Sequence, residues 1–127
     1  MSKKILVVED EKPIAKALQL KLNSSGYEAT IAGDGEEALQ VLAAGGSFDL
    51  VLLDLVMPKL DGFGFLAQAR ENGLSIPPVI VSSNLSQEED IQRAKDLGAV
   101  SYYVKSNTPL SVIVEKINQY LPNNETG

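Results

Sequence analysis

Leu50-Val51-Leu52-Leu53-Asp54-Leu55-Val56-Met57-Pro58 is the stretch that decides the fold. Four apolar residues in a row, without the alternation of a strand that has one wet face, read as a strand covered on both sides, the habit of parallel sheets. The run ends in a carboxylate, and Met57-Pro58 breaks the chain soon after. The same design recurs: Ile5-Leu6-Val7-Val8 runs into Glu9-Asp10, Val79-Ile80-Val81 into Ser82-Ser83, and Tyr102-Tyr103-Val104 into Lys105. In an open parallel sheet the carboxyl ends of the strands share one rim, and ligands bind in the crevice outside it. Three acids, a hydroxyl and an ammonium should therefore converge there.

Helical patterns separate these strands. The first helix opens at Pro13, whose missing N–H costs nothing at a helix start, carries Ile14, Leu18 and Leu22 on one stripe, and stops near Gly26. Residues 27–32 alternate as a second strand. Asp34-Gly35-Glu36-Glu37 has the logic of a capping box ahead of Ala38, Leu39 and Leu42. A helix over residues 62–70 turns Phe63, Leu66 and Ala67 inward, and Ser86 with Glu89 forms a further capping box for a helix bearing Ile91, Ala94 and Leu97, ended by Gly98. After a strand at residues 101–104, Thr108-Pro109 starts a last helix with the stripe Leu110, Ile113, Val114, Ile117 and Leu121, and Pro122 ends it. The spacing predicts one domain over residues 1–122, with residues 123–127 a disordered tail or the start of a linker. Five such units give an α/β, flavodoxin-like doubly wound (βα)5 sandwich with right-handed crossovers. Strand two carries Glu28 and Thr30 and strand five two tyrosines, which makes them edges and the parallel sheet order 2-1-3-4-5. The switch point then falls between strands one and three, which end in Asp10 and Asp54.

Composition removes whole classes of chemistry. The 127 residues include no Cys and no His, so thiolate and imidazole ligands, thiol nucleophiles and imidazole acid–base catalysis are excluded. Any metal must be held by oxygen, which favours a hard cation, Mg²⁺. A formal charge of -6 argues against direct nucleic-acid binding by this domain. No tract is long enough to cross a membrane, and Met1-Ser2-Lys3-Lys4 leads into the first strand without a cleavage site, so a cytoplasmic location is expected.

An acid after a strand is commonly just a helix cap, and Glu9 or Asp10 alone would be read so. Asp54 is different, because apolar residues flank it on both sides and burial without a cation or donor would be costly. Clustered carboxylates repel unless neutralised, and a divalent ion with Lys105 supplies that neutralisation. The constellation fits phosphoryl transfer: Mg²⁺ held by Asp10 and Asp54, Glu9 acting through coordinated water, Asp54 attacking in line, and Lys105 and a serine hydroxyl contacting the phosphoryl oxygens.

Over nearly the whole chain the sequence resembles the receiver domains of bacterial two-component response regulators, and is chemotaxis-regulator-like. The family's phosphoacceptor segment, D-x-x-M-P-x-x-D-G, is matched by Asp54, Met57, Pro58, Asp61 and Gly62, and its acidic pair by Glu9 and Asp10. The resemblance puts the switch hydroxyl at Ser83 in preference to Ser82, the lysine at Lys105, the rotameric aromatic at Tyr102 and a third Mg²⁺ ligand at the carbonyl of Val56. It implies that Asp54 is phosphorylated by a sensor histidine kinase or His phosphotransfer protein. The face of the fourth helix, fifth strand and fifth helix would then shift to control an unknown output domain or protein, with a phosphorylation-dependent dimer as one form. Such a domain is not a conventional enzyme, since it catalyses only its own phosphorylation and dephosphorylation.

Two departures from the family pattern stand out. Ser106 occupies the place where receivers usually carry proline, often in a cis bond; the bond here is either trans in a rearranged loop or cis at a cost of about 2.5–4 kcal/mol. Val56 and Leu85, at the positions that tune dephosphorylation in the family, are apolar and cannot orient a water, which implies a long-lived phosphorylated state. Two other classes share this fold. A flavodoxin-like cofactor binder would need a hydroxyl- and glycine-rich loop where Glu9-Asp10 stands, and an aspartate-nucleophile phosphatase a second acid where Leu55-Val56 stands.

Overall fold

All four residues Leu50–Leu53 and all five residues Val79–Ser83 are buried, the result expected of strands covered on both faces. The computed structural model describes residues 3–121. Five strands, β1 (Lys4–Val8), β2 (Glu28–Ala32), β3 (Leu50–Leu53), β4 (Val79–Ser83) and β5 (Ser101–Val104), form one parallel sheet in the order β2-β1-β3-β4-β5. The helices are α1 (Lys12–Ser24), α2 (Gly35–Ala43), α3 (Gly62–Glu71), α4 (Glu88–Asp96) and α5 (Leu110–Tyr120). Edge strands β2 and β5 are only partly buried, as their mixed composition requires. Pro122 and the expected tail at residues 123–127 lie outside the described residues.

Strand alternation divides the interior into two layers. Leu6, Val8, Val51, Leu53, Val79 and Val81 face Ala38 of α2, Phe63 and Leu66 of α3 and Ala94 of α4. Ile5, Val7, Leu50, Leu52 and Ile80 face Leu18 and Leu22 of α1 and Ile113 and Ile117 of α5. Each such aliphatic side chain contributes roughly 1.5–3 kcal/mol by leaving water. Among the described residues no helix is long and apolar enough to cross a membrane.

Local signals set most helix ends. Asp34 Oδ1 accepts from the Glu37 N–H at 2.9 Å, and Glu37 reaches back to the Gly33 N–H at 2.6 Å, a capping box displaced by one residue. Asp61 Oδ1 caps α3 through the Gly64 N–H at 2.8 Å. Two expectations are corrected. The Ser86–Glu89 box does not form: α4 begins one residue later, with Gln87 as an N-cap that makes no side-chain cap bond, and the acids of its first turn favour the helix start by their charge instead. On α3, Ala67 is only half-buried, whereas Phe65 and Ala69 join Phe63 and Leu66 in the interior. Glycines at 62 and 64 let the helix lie close to the loop after β3, and that close approach turns Phe65 into the core.

Candidate functional site

Asp54 and Glu9 are nearly sealed from water, at 5% and 3% exposure, and both leave strands that pair in register, with Val8 opposite Leu53. The loop after β5 brings in Lys105. Its Nζ lies 2.8 Å from Glu9 Oε1 and 3.3 Å from Asp54 Oδ2. The other oxygen of each acid is held by backbone: Asp54 Oδ1 accepts from the N–H groups of Leu55 at 2.7 Å and Val56 at 3.4 Å, and Glu9 Oε2 from Glu11 at 3.2 Å. These donors fix both carboxylates without filling their coordination. Burial pushes the Glu9 carboxyl above its ordinary value, against the opposing pull of Lys105, with the charge of Asp54 adding to the rise. Burial alone would lower Lys105, but its hydrogen bond to Glu9 and the charge of Asp54 outweigh it and raise the ammonium. A single ammonium thus serves two buried acids.

Asp10 is the third acid, half-buried, and carboxylate oxygens of Glu9, Asp10 and Asp54 all lie within 4.8 Å of one another. The donors are all oxygen and carry more negative charge than Lys105 offsets, so the set suits a hard divalent cation. Beside it opens a cavity of about 640 Å³ lined by Glu9, Asp10, Lys12, Lys16, Glu37 and Pro58. Lys12 and Lys16, one helical turn apart on α1, were not singled out by sequence, and only the packing of α1 over the rim reveals them. Val56, two residues beyond Asp54, is 58% exposed.

The two serines part company. Ser83 is fully buried on the α3–α4 side, where its Oγ accepts from the Leu85 N–H at 3.3 Å and meets the Tyr102 hydroxyl. Ser82, on the opposite face of β4, lines an apolar groove of about 380 Å³ with Lys105, Leu18 and Leu110. Tyr102 packs, partly buried, against the layer under α2, α3 and α4 and donates to the Leu85 carbonyl at 2.6 Å. Burial pushes its phenol up; the Ser83 contact opposes that rise, and Asp90 and Asp54 reinforce it. The side chain that the resemblance marks as the rotameric aromatic is thus seated inward in this structure. The Lys105–Ser106 bond is trans, and Lys105–Asn107 forms a 3₁₀ turn, so the rearranged-loop alternative is the one adopted.

The family model of the response regulator receiver domain matches residues 5–118. The chain belongs to this family. DltR, a transcriptional regulatory protein of Streptococcus agalactiae serotype III (strain NEM316), is 42% identical over 102 residues, covering 80% of this chain and 45% of the relative. PhoP, the alkaline phosphatase synthesis transcriptional regulatory protein of Bacillus subtilis (strain 168), is 41% identical over 112 residues, covering 88% and 46%. The receiver domain thus spans about half the length of the curated relatives it matches. Among solved structures, the phosphorylated cyanobacterial phytochrome response regulator RcpA is similar at a TM-score of 0.81 and 36% identity, covering 96% of each chain. The receiver domain of Francisella response regulator 1452 is similar at 0.84 and 29%, covering 94% and 96%. This is a response regulator receiver domain of two-component signalling, with transcriptional regulators among its relatives.

Proposed function

We propose that this receiver domain, residues 1–122 with residues 123–127 as tail or linker, is a switch operated by phosphorylation of Asp54 in a Mg²⁺-dependent reaction. The donor is the phosphohistidine of a sensor histidine kinase or His phosphotransfer protein, since the chain has no histidine of its own. The observation that carries the reading is the sharing of one ammonium, Lys105, by two buried acids, with Asp10 completing an acidic cluster. Such a site is short of positive charge until a cation joins it. Asp10, Asp54 and the Val56 carbonyl would hold Mg²⁺, with Glu9 linked through its coordinated water. When bound, the metal supplies positive charge to the oxygens of the moving phosphoryl group.

The remaining work falls to side chains. A carboxylate oxygen of Asp54 forms the new O–P bond as the P–N bond to the donor imidazole breaks. Lys105 turns its ammonium to one phosphoryl oxygen and Ser83 its hydroxyl to another, so both respond to the presence of the group. Withdrawal of the Ser83 hydroxyl from Leu85 and Tyr102 alters the β4–α4 loop, and the face of α4, β5 and α5 passes the change to the output. The names of DltR and PhoP support a transcriptional output, in an attached domain or a separate protein. A phosphorylation-dependent dimer through that face belongs to the same reading, as does a cytoplasmic setting. The receiver is no conventional enzyme; it turns over only its own phosphoryl group, and slowly, because Val56 and Leu85 offer no group to orient a water.

The test is treatment with acetyl phosphate and Mg²⁺ followed by mass spectrometry. One phosphoryl adduct is expected on the parent and none on Asp54→Asn. Labelling that persists in the variant moves the acceptor elsewhere.

A further inference from the structure

Ser83 of β4 and Val104 of β5 are register partners, and the chain leaves the sheet from both strands side by side. One residue beyond Ser83, the Asn84 side chain accepts from the backbone N–H of Ser106 at 3.0 Å. Ser106 is the residue after Lys105, inside the 3₁₀ turn Lys105–Asn107. The Lys105 side chain reaches Glu9 and Asp54, and the turn is closed on its own strand end and exit by the Thr108 N–H on the Lys105 carbonyl at 3.3 Å and the Thr108 hydroxyl on the Val104 carbonyl at 2.9 Å. The Asn84 bond is what joins it to the neighbouring loop. It needs a residue at 106 that has an N–H and is free in φ, which proline would lack.

We propose that Asn84 is a positioning residue for phosphoryl transfer: its side-chain carbonyl holds the Ser106 N–H and so keeps the loop that carries Lys105 fixed against the loop that carries Ser83. The two groups expected to grip the phosphoryl oxygens, an ammonium and a hydroxyl, sit on separate loops. A bond between those loops, one residue from each gripping group, fixes their spacing before the donor arrives, and catalysis rewards geometry set in advance. It also makes the loops move together when Ser83 changes partners. The proposal rests on the reading of Asp54 as phosphoacceptor and adds a residue to it.

Asn84 and Ser106 are both exposed, so changing either removes no core packing. The experiment measures the rate of adduct formation with acetyl phosphate and Mg²⁺ on the full chain and, separately and without any donor, solvent exchange of the Ser106 amide. Asn84→Ala should slow labelling by about threefold to tenfold, the range one net hydrogen bond supplies, and speed exchange at Ser106 by a similar factor. Ser106→Ala keeps the N–H and should label within about twofold of the parent. In a Ser106→Pro background, which has no donor at 106, Asn84→Ala should add less than about twofold. Labelling of Asn84→Ala at the parent rate, unchanged exchange at Ser106, or an equal loss in both backgrounds overturns the role of Asn84 and leaves Asp54 standing. A parent that takes no label at Asp54 overturns both.

Discussion

A methyl group placed on Gly62 would lie 2.6 Å from the carbonyl oxygen of Asp54 and 2.8 Å from the α-carbon of Leu55. The start of α3 is thus pressed against the backbone that carries Asp54, the proposed acceptor, and the Gly62 N–H donates to the Leu55 carbonyl at 3.0 Å. Glycine is required here for close approach, since the Asp54 oxygen and the Leu55 α-carbon are backbone atoms that cannot swing aside.

Gly62→Ala should therefore destabilise the domain by about 1–3 kcal/mol, the usual cost of forcing extra volume into a packed site. It should also weaken Mg²⁺ binding, because the loop from Asp54 to Val56 must shift. Urea unfolding and a Mg²⁺ titration check the two effects. Unchanged stability would mean that α3 is not fixed at this contact.

Glu9 gives the pH dependence. Burial raises its folded carboxyl above the ordinary 4.5, so the folded state binds the proton more tightly than the unfolded chain. Its contribution to stability is fully present below the unfolded value and is withdrawn as pH rises through the raised folded value. Metal-free Glu9→Gln, which cannot ionise, should melt higher than the parent at neutral pH. The advantage should vanish toward pH 4. With Mg²⁺ the order changes: Asp10→Asn should lose more affinity than Glu9→Gln, since Asp10 is the one proposed to coordinate directly. Calorimetry with and without Mg²⁺ separates these claims, and a lower melting point for metal-free Glu9→Gln at neutral pH would contradict the first.

The parts of this arrangement differ in how far sequence alone could show them. The strands and their rim were legible because Leu50–Leu53 and its counterparts are uninterrupted apolar runs, and a run ending in a charge reads the same in any context. The pairing of Lys105 with Glu9 spans 96 residues, so the sequence could bring the two to one rim but could not choose the partner. The start of α4 was hidden because Ser86, Gln87, Glu88 and Glu89 offer competing frames for a cap, and packing of Ala94 and the cation–π contact of Arg93 on Phe63, 4.2 Å from its centroid, decide among them. The turn at Lys105–Asn107 depends on Asn84, in another loop, and no local signal carries that. The inward seat of Tyr102 likewise follows from the Leu85 carbonyl being within reach.

Lys59 holds a left-handed backbone at φ 65°, which is strained for a residue with a β-carbon. Its ammonium is 3.9 Å from Asp34 and largely exposed, a pairing too weak to matter. Lys59→Gly should stabilise the domain by about 0.5–1 kcal/mol, the relief of strain exceeding the greater freedom glycine gives the unfolded chain. Lys59→Val should do the reverse, because a β-branched side chain tolerates that region least. Urea midpoints of the two variants on opposite sides of the parent are the expected result; both on the same side would show that φ at this position does not set the energy.

Ser83 and Tyr102 meet on the α4 side of the sheet, whereas Ser82 faces the groove between α1 and α5, so the two serines make a controlled comparison. Because Tyr102 is already seated inward, phosphorylation is expected to act by changing what holds it there. In the proposed switch the Ser83 hydroxyl leaves Leu85 and Tyr102 for a phosphoryl oxygen, and that exchange, with the response of Lys105, distinguishes the two states energetically. Ser83→Ala should still accept a phosphoryl group on Asp54, yet chemical-shift changes over residues 86–116 on adding beryllofluoride, a stable stand-in for that group, should fall by about half or more, since the lost contact supplies a large share of the differential binding. Ser82→Ala should respond as the parent does. Tyr102→Phe strands the Leu85 carbonyl and should cost about 1 kcal/mol of stability while also blunting the response. A full response in Ser83→Ala would show that the signal leaves the site by another route, and a lost response in Ser82→Ala would assign the switch to the other face of β4.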